Sequence, residues 1–188
     1  MDEQAPLPMT SAWTAVARCV LCSAALLSGR RLHLPDRHVG VVVHFADGTA
    51  ARVYRETVVD RPEPVEPCVL VVEFRLRWVR GRGHALFRAE SLLNTPLFAG
   101  FPGFVSKLWL AHDRHGTYRG FYEWDGPERA RTYARALWRV LALVCEPGSI
   151  HYRVVPGVRR DEALADPELL DHDPSPGPQW WRPVAVGS

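Results

Sequence analysis

The chain has 188 residues, the length of one ordinary domain with room for an extension. Lys+Arg 23 against Asp+Glu 21 leaves a net charge of +2, too even a balance for a nucleic-acid groove or an anionic membrane surface. An apolar fraction of 47% with 23% charged residues is enough to bury a core and excludes wholesale disorder.

The N-terminus, MDEQAPLPMT, is acidic where a secretory signal needs positive charge. Ala12 to Leu27 is apolar but interrupted by Arg18, and is short for a ~20-residue membrane span. A cytoplasmic protein with no membrane span is expected, so the four cysteines should not form structural disulfides. Residues 1–66 hold one helix, about Ser11 to Ser28, with Ser11 able to cap it. A hairpin follows, Val39–Phe45 and Ala50–Val59, around an Asp47-Gly48 turn. The proline-rich stretch Arg61–Pro67 closes this segment as an extended linker.

Residues 67–160 read β-α-β-β-α-β. Cys68 to Trp78 alternates Leu70, Val72, Phe74, Leu76 and Trp78 with Glu73, Arg75 and Arg77, a half-buried strand. A helix from about His84 to Asn94 puts Ala85, Leu86, Ala89, Leu92 and Leu93 on one arc. Strands Phe104–Ala111 and Thr117–Trp124 form a hairpin. Asp125-Gly-Pro-Glu128 resembles a capping box opening a second helix that runs to about Cys145. Ile150 to Val155 is the fourth strand. The order is that of the split βαβ, ferredoxin-like α+β fold, an antiparallel sheet with both helices on one face. Residues 161–188, rich in proline and ending near Trp180-Trp181, are expected to be an irregular tail.

Parity assigns the even-numbered residues to the helix side. The odd face then carries Glu73, Arg75, Arg77, Lys107, Trp109, Arg119, Glu123, His151 and Arg153, and is expected to pair with a second sheet in a homodimer, burying Trp109 there. Lys107 is the only lysine; the other 22 cations are arginines, which reads first as a high-GC coding background.

Phe101-Pro-Gly-Phe-Val-Ser-Lys-Leu-Trp109, then Tyr118-Arg-Gly-Phe-Tyr-Glu-Trp124 and an Ala/Tyr-rich helix, resemble the YdhR-like proteins. These belong to the wider dimeric α+β barrel group that includes antibiotic-biosynthesis monooxygenases. The resemblance covers about residues 68–158 and implies a homodimer with its sheets face to face. It also implies a pocket between sheet and helices in each subunit, and oxygenation of electron-rich, polycyclic or quinone-like substrates, sometimes with neither metal nor organic cofactor. Segment 1–66 and the tail have no counterpart in that pattern.

The presumed helix–sheet space is crowded by Tyr118, Tyr122, Trp124, Tyr133, Trp138 and Tyr152, which suit a flat aromatic ligand as well as a core. A cofactor-free oxygenase needs a base to form a substrate anion, and donors to hold an oxyanion. His84 or Glu90 is the expected base, with Tyr122 the next candidate, and Arg88, Asn94 or Tyr122 are the expected donors. Substrate contacts fall to Tyr118, Trp124, Trp138 and Tyr152. Cys19 and Cys22 form a CxxC on a helix without a preceding strand or a second CxxC, and read as two small apolar residues. His112 and His115 lack a third ligand. With no phosphate-binding loop or dinucleotide fingerprint, no cofactor is expected. The reading is an enzyme of secondary metabolism acting on a hydrophobic aromatic or polyketide-like molecule, a cofactor-independent monooxygenase first. The alternatives are a cyclase or isomerase on the same scaffold, and a non-catalytic binding or accessory protein.

Overall fold

The computed structural model describes residues 8–77, 79, 98–170 and 179–187. In chain order the elements are α1 (Met9–Ser28), β1 (Leu32–His33), β2 (Val42–Phe45), β3 (Ala50–Val59), β4 (Pro67–Arg75), β5 (Phe104–Leu110) and β6 (Thr117–Asp125). Then come α2 (Pro127–Leu141), β7 (His151–Pro156), α3 (Arg160–Ala165), a 3-10 turn at Pro167–Leu170 and β8 (Pro183–Gly187). The expected helix His84–Asn94 lies outside the described residues.

One antiparallel sheet runs in the order β7-β4-β6-β5-β3-β2-β8, with β1 pairing on β3. Its first four strands have the 4-1-3-2 order of the split βαβ unit, so the fold is ferredoxin-like α+β. The N-terminal hairpin extends the β5 edge, and the sheet curls as it does so. Asp47, in the β2–β3 turn, reaches Arg119 on β6 at 2.8 Å, although β5 lies between β6 and that hairpin.

The α2 side of the sheet is the larger core. Leu70, Val72, Tyr122, Trp124, Tyr152 and Val154 meet Ala130, Tyr133, Ala134 and Ala136 of α2. Pro127 suits the first turn of α2 because its missing N–H had no helical partner there. Asp125 does not cap the helix, as the capping-box reading expected. Gly126 takes the N-cap position, and the Asp125 carboxylate instead accepts from the backbone amides of Val65 and Glu66. The proline-rich linker is thereby tied to the start of α2. Asp125 is half-buried, and those backbone hydrogen bonds hold its acid below the ordinary carboxylate range.

α1 starts two residues earlier than expected, with Pro8 rather than Ser11 at its cap. It buries Ala12, Val16, Cys19 and Ser23 and packs beside α2. The contact is closest at Gly100, where a Cβ would strike the carbonyl oxygen of Cys19 and come within 2.6 Å of the Ser23 amide. By length and composition alone α1 is apolar enough to cross a bilayer, and Trp13, Leu21 and Leu27 on its outer side are exposed.

Parity fails on one strand. The β5–β6 register runs Phe104 opposite Trp124, then Ser106 opposite Glu123, so Val105 is an extra residue in a bulge. Beyond it every side chain changes face. Lys107 and Trp109 therefore lie on the α2 side, opposite Tyr122 and Gly120, while Leu108 and Leu110 turn to the other face. Trp109 is buried within one chain, packed edge-on against Phe98 at 5.2 Å, which corrects its expected place in a dimer interface.

The opposite face is covered by the chain itself. Val69, Val71, Leu108, Leu110, Phe121 and Val155 form a second core with Ala163, Leu164, Leu170 and Trp181. The tail is thus not irregular throughout: it supplies α3, a 3-10 turn and an edge strand, β8, paired with β2. It is fastened by charge. The buried Arg160 guanidinium donates to Glu56 on β3 at 2.6 Å, His38 meets the other Glu56 oxygen at 2.9 Å, and Arg159 donates to Glu123 at 3.3 Å.

Candidate functional site

The bulge in β5 builds the feature that most needs explaining. It carries the one lysine of the chain inward, into the α2-side core. The Lys107 ammonium nitrogen lies 3.2 Å from the Trp109 ring centroid, 4.5 Å from that of Phe98 and 4.7 Å from that of Tyr122. Among the described residues no carboxylate pairs with it. Ring faces attract a cation, but by less than water does. Burial therefore pushes the Lys107 amine well below its ordinary value, and the nearby Arg55 cation pushes it further down.

Arg55 comes from β3, directly across from Trp109 in the register. Its guanidinium carbon stands 3.9 Å from the same indole centroid, with Tyr54 alongside at 5.6 Å. Trp109 is fixed by its indole N–H, which donates to Thr57 Oγ1 at 3.0 Å, and Thr57 is the residue opposite Lys107. Two cationic side chains thus share one indole whose position is set by a buried hydroxyl. Desolvation lowers the Arg55 guanidinium too, but a guanidinium stays protonated in proteins. The amine is the member of the pair that can lose its proton.

On the α2 side of this cage stand two tyrosines. Tyr133 donates its hydroxyl hydrogen to Tyr122 at 3.2 Å, and burial raises both phenols well above their usual range. They remain neutral donors. The Tyr122 ring folds back over Gly120, where a Cβ would come within 2.6 Å of it, so only glycine leaves it that room. Trp124 lies against Tyr133 at 4.8 Å between ring centroids, and Phe104 and Phe101 close the cluster from the strand and the preceding turn.

Of the residues expected from sequence, Tyr122 and Trp124 are in this group. Trp138 and Tyr152 form a neighbouring edge-to-face pair at 6.4 Å. Tyr118 stacks on Phe74 at 5.9 Å and neighbours His112, further along the sheet. His84, Arg88, Glu90 and Asn94 lie outside the described residues. Sequence reasoning missed Lys107, Trp109, Arg55, Tyr54 and Phe98 as site residues. The available signal was the solitary lysine in an arginine-only chain, and strict parity hid it by turning the side chain outward.

The remaining candidates are accounted for locally. Cys19 is buried against Ser23, and burial raises its thiol to about 11, far from a reactive thiolate. At the β5–β6 hairpin tip, Asp113 accepts from the amides of His115 and Thr117 and pairs with Arg119.

Among solved structures, the chain is similar to an uncharacterized ferredoxin-fold protein related to antibiotic biosynthesis monooxygenases from Listeria monocytogenes 4b F2365. The two are 12% identical with a TM-score of 0.39, over 70% of this chain and 85% of that chain. No family model and no curated protein matches this sequence.

Proposed function

We propose that the protein is an enzyme acting on a hydrophobic aromatic or polyketide-like small molecule, by monooxygenation without a resident cofactor. The observation that carries this reading is the Lys107 amine, buried among aromatic rings beside the Tyr122–Tyr133 hydroxyl pair, with no carboxylate partner among the described residues. A neutral amine in such a place is a general base, and phenols or enols are the acids it can deprotonate. The Arg55 cation stabilises the anion that results.

An electron-rich phenolate can then pass an electron to dioxygen. Radical recombination gives a peroxide at the ring carbon. Loss of water leaves a carbonyl there, one oxygen atom retained and the other leaving with the substrate's two hydrogens. Tyr122, kept protonated by burial, can hand a proton to the departing oxygen. His84 and Glu90 compete with Lys107 for the role of base.

The test is turnover of a phenol or hydroquinone under labelled dioxygen, followed by mass spectrometry. Lys107→Met should cut turnover ~10²–10⁴-fold while leaving the melting temperature equal or higher, since methionine fills the same cage without a buried amine. His84→Asn and Glu90→Gln should have smaller effects. Product without added oxygen would replace this reading with a cyclase or isomerase. Tight aromatic binding with no product would replace it with a binding protein.

A further inference from the structure

The even charge of the whole chain hides an uneven segment. Residues 4–35 carry three of the 23 cations, Arg18, Arg30 and Arg31, and none of the 21 acids. This basic stretch contains α1, an apolar helix of 20 residues and so about 30 Å long. Its inner stripe, Ala12, Val16, Cys19 and Ser23, is buried on the fold, with Gly100 in close contact. The side turned away is apolar as well. Met9, Trp13, Val20 and Leu27 fall on one arc at helical spacing, with Leu21 at its margin, and all five are exposed. A surface helix in water carries charged and polar residues on that side. The hydroxyls bordering the arc are already used. Thr14 donates to the Thr10 carbonyl at 2.9 Å, and Ser28 to that of Ala25 at 3.0 Å. Neither is left without a partner when water is removed.

We propose that α1 docks on a bilayer of anionic lipid, lying along it with the outer arc in the boundary between headgroups and acyl chains. Trp13, Leu21 and Leu27 enter that boundary, where an indole suits both the apolar and the polar side. Exposed Arg18, beyond Leu21 around the helix, and exposed Arg30 and Arg31, past its end, meet the lipid phosphates. Asp60, whose carbonyl accepts from Arg31, gives its carboxylate to His33. Charge decides between this occupant and a second copy of α1. Two such helices side by side bring cations together with no acid on either, whereas an anionic surface attracts the same cations. The helix lies on the bilayer and does not cross it, because crossing would strip the inner stripe from the fold. The inference stands apart from the role given to Lys107 and asks nothing of catalysis.

Vesicle cosedimentation tests this on the full chain. The probes are vesicles of phosphatidylcholine alone, and of phosphatidylcholine mixed two to one with phosphatidylserine. Binding to the mixed vesicles should be at least tenfold tighter and should weaken as salt is added. Combining Arg18→Gln, Arg30→Gln and Arg31→Gln should weaken it on the order of 100-fold, about fivefold per arginine. Leu21→Glu with Leu27→Glu should abolish binding to both vesicle types. These positions are exposed, so both variants should keep the wild-type melting temperature. No binding, equal binding to the two vesicle types, or binding that survives the paired Leu→Glu change would each overturn the proposal. So would chain that stays with the vesicles through a carbonate wash at high pH, which would mean that α1 spans the bilayer. Dimers in sedimentation without lipid, lost in Leu21→Glu, would overturn it by assigning the face to a second copy.

Discussion

Arg119 shows how one buried charge can hold a group of carboxylates near neutrality. Its guanidinium lies over the Phe45 ring and within 2.8 Å of Asp47, 3.2 Å of Glu73 and 3.1 Å of Asp113. One cation cannot hold three acids gathered around it ionised when one is buried and another half-buried, and Glu73 yields. Burial raises it to about 7, Asp47 and Asp113 push the same way, and Arg119 opposes them. Between its ordinary 4.5 and about 7, the folded protein therefore holds a proton that the unfolded chain has released. Stability should fall as pH rises through that window, by at most ~1.4 kcal/mol per pH unit. Glu73→Gln should flatten this slope and be more stable than the wild type at about pH 8, with the difference vanishing near pH 4. Urea titrations at both pH values check it. A variant that is less stable at pH 8 would show that the Arg119–Glu73 pair outweighs burial.

At the scale of elements, two departures from regular geometry place the site. The bulge at Val105 reverses the rest of β5 and brings Lys107 and Trp109 to the α2 side. Gly100 lets α1 lie directly on the turn that precedes β5. The neighbours of an added methyl at 100 are mainly α1 backbone atoms, which can give way only if the helix shifts. Gly100→Ala should therefore cost about 1–3 kcal/mol by overpacking, measured by denaturant unfolding, and should loosen α1 in hydrogen exchange. A substitution with no cost would mean that α1 is not held against this turn. The β-α-β-β-α-β reading led to the β7-β4-β6-β5 order because each strand is an apolar run set off by turn residues, although β4 and β6 are buried on both faces rather than on alternate residues. The bulge was not legible, since one inserted residue leaves the composition of Phe104–Leu110 unchanged.

For the molecule as a whole, the decisive feature is what covers the second sheet face. In the barrel arrangement that the resemblance implies, that face meets a partner's sheet. Here residues 160–170 and Trp181 fill it, with Arg160 held by Glu56 beneath them. A face-to-face sheet pair would require this segment to leave, breaking a buried ion pair, and leaving Glu56 buried without Arg160 is strongly unfavourable. Deleting residues 159–188 should expose Val69, Val71, Leu108, Leu110, Phe121 and Val155 together, each worth ~1.5–3 kcal/mol when buried. Sedimentation should then show self-association or aggregation. A soluble monomer with an unchanged melting temperature would mean the tail contributes nothing to closing the sheet.

The sequence by itself determined the ferredoxin-like core, the N-terminal helix, the hairpin with its Asp47-Gly48 turn and the aromatic character of the α2 side. These follow from local period and turn chemistry, which a linear reading contains. Three things were decided only in three dimensions: which face Lys107 occupies, what covers the opposite face, and which acids surround Arg119. Each depends on contacts between residues far apart in the chain, such as Glu56 with Arg160, Thr57 with Trp109 and Asp47 with Arg119. No local pattern encodes those pairings, because the residues concerned are ordinary polar residues until the sheet curls and the tail folds back to bury them.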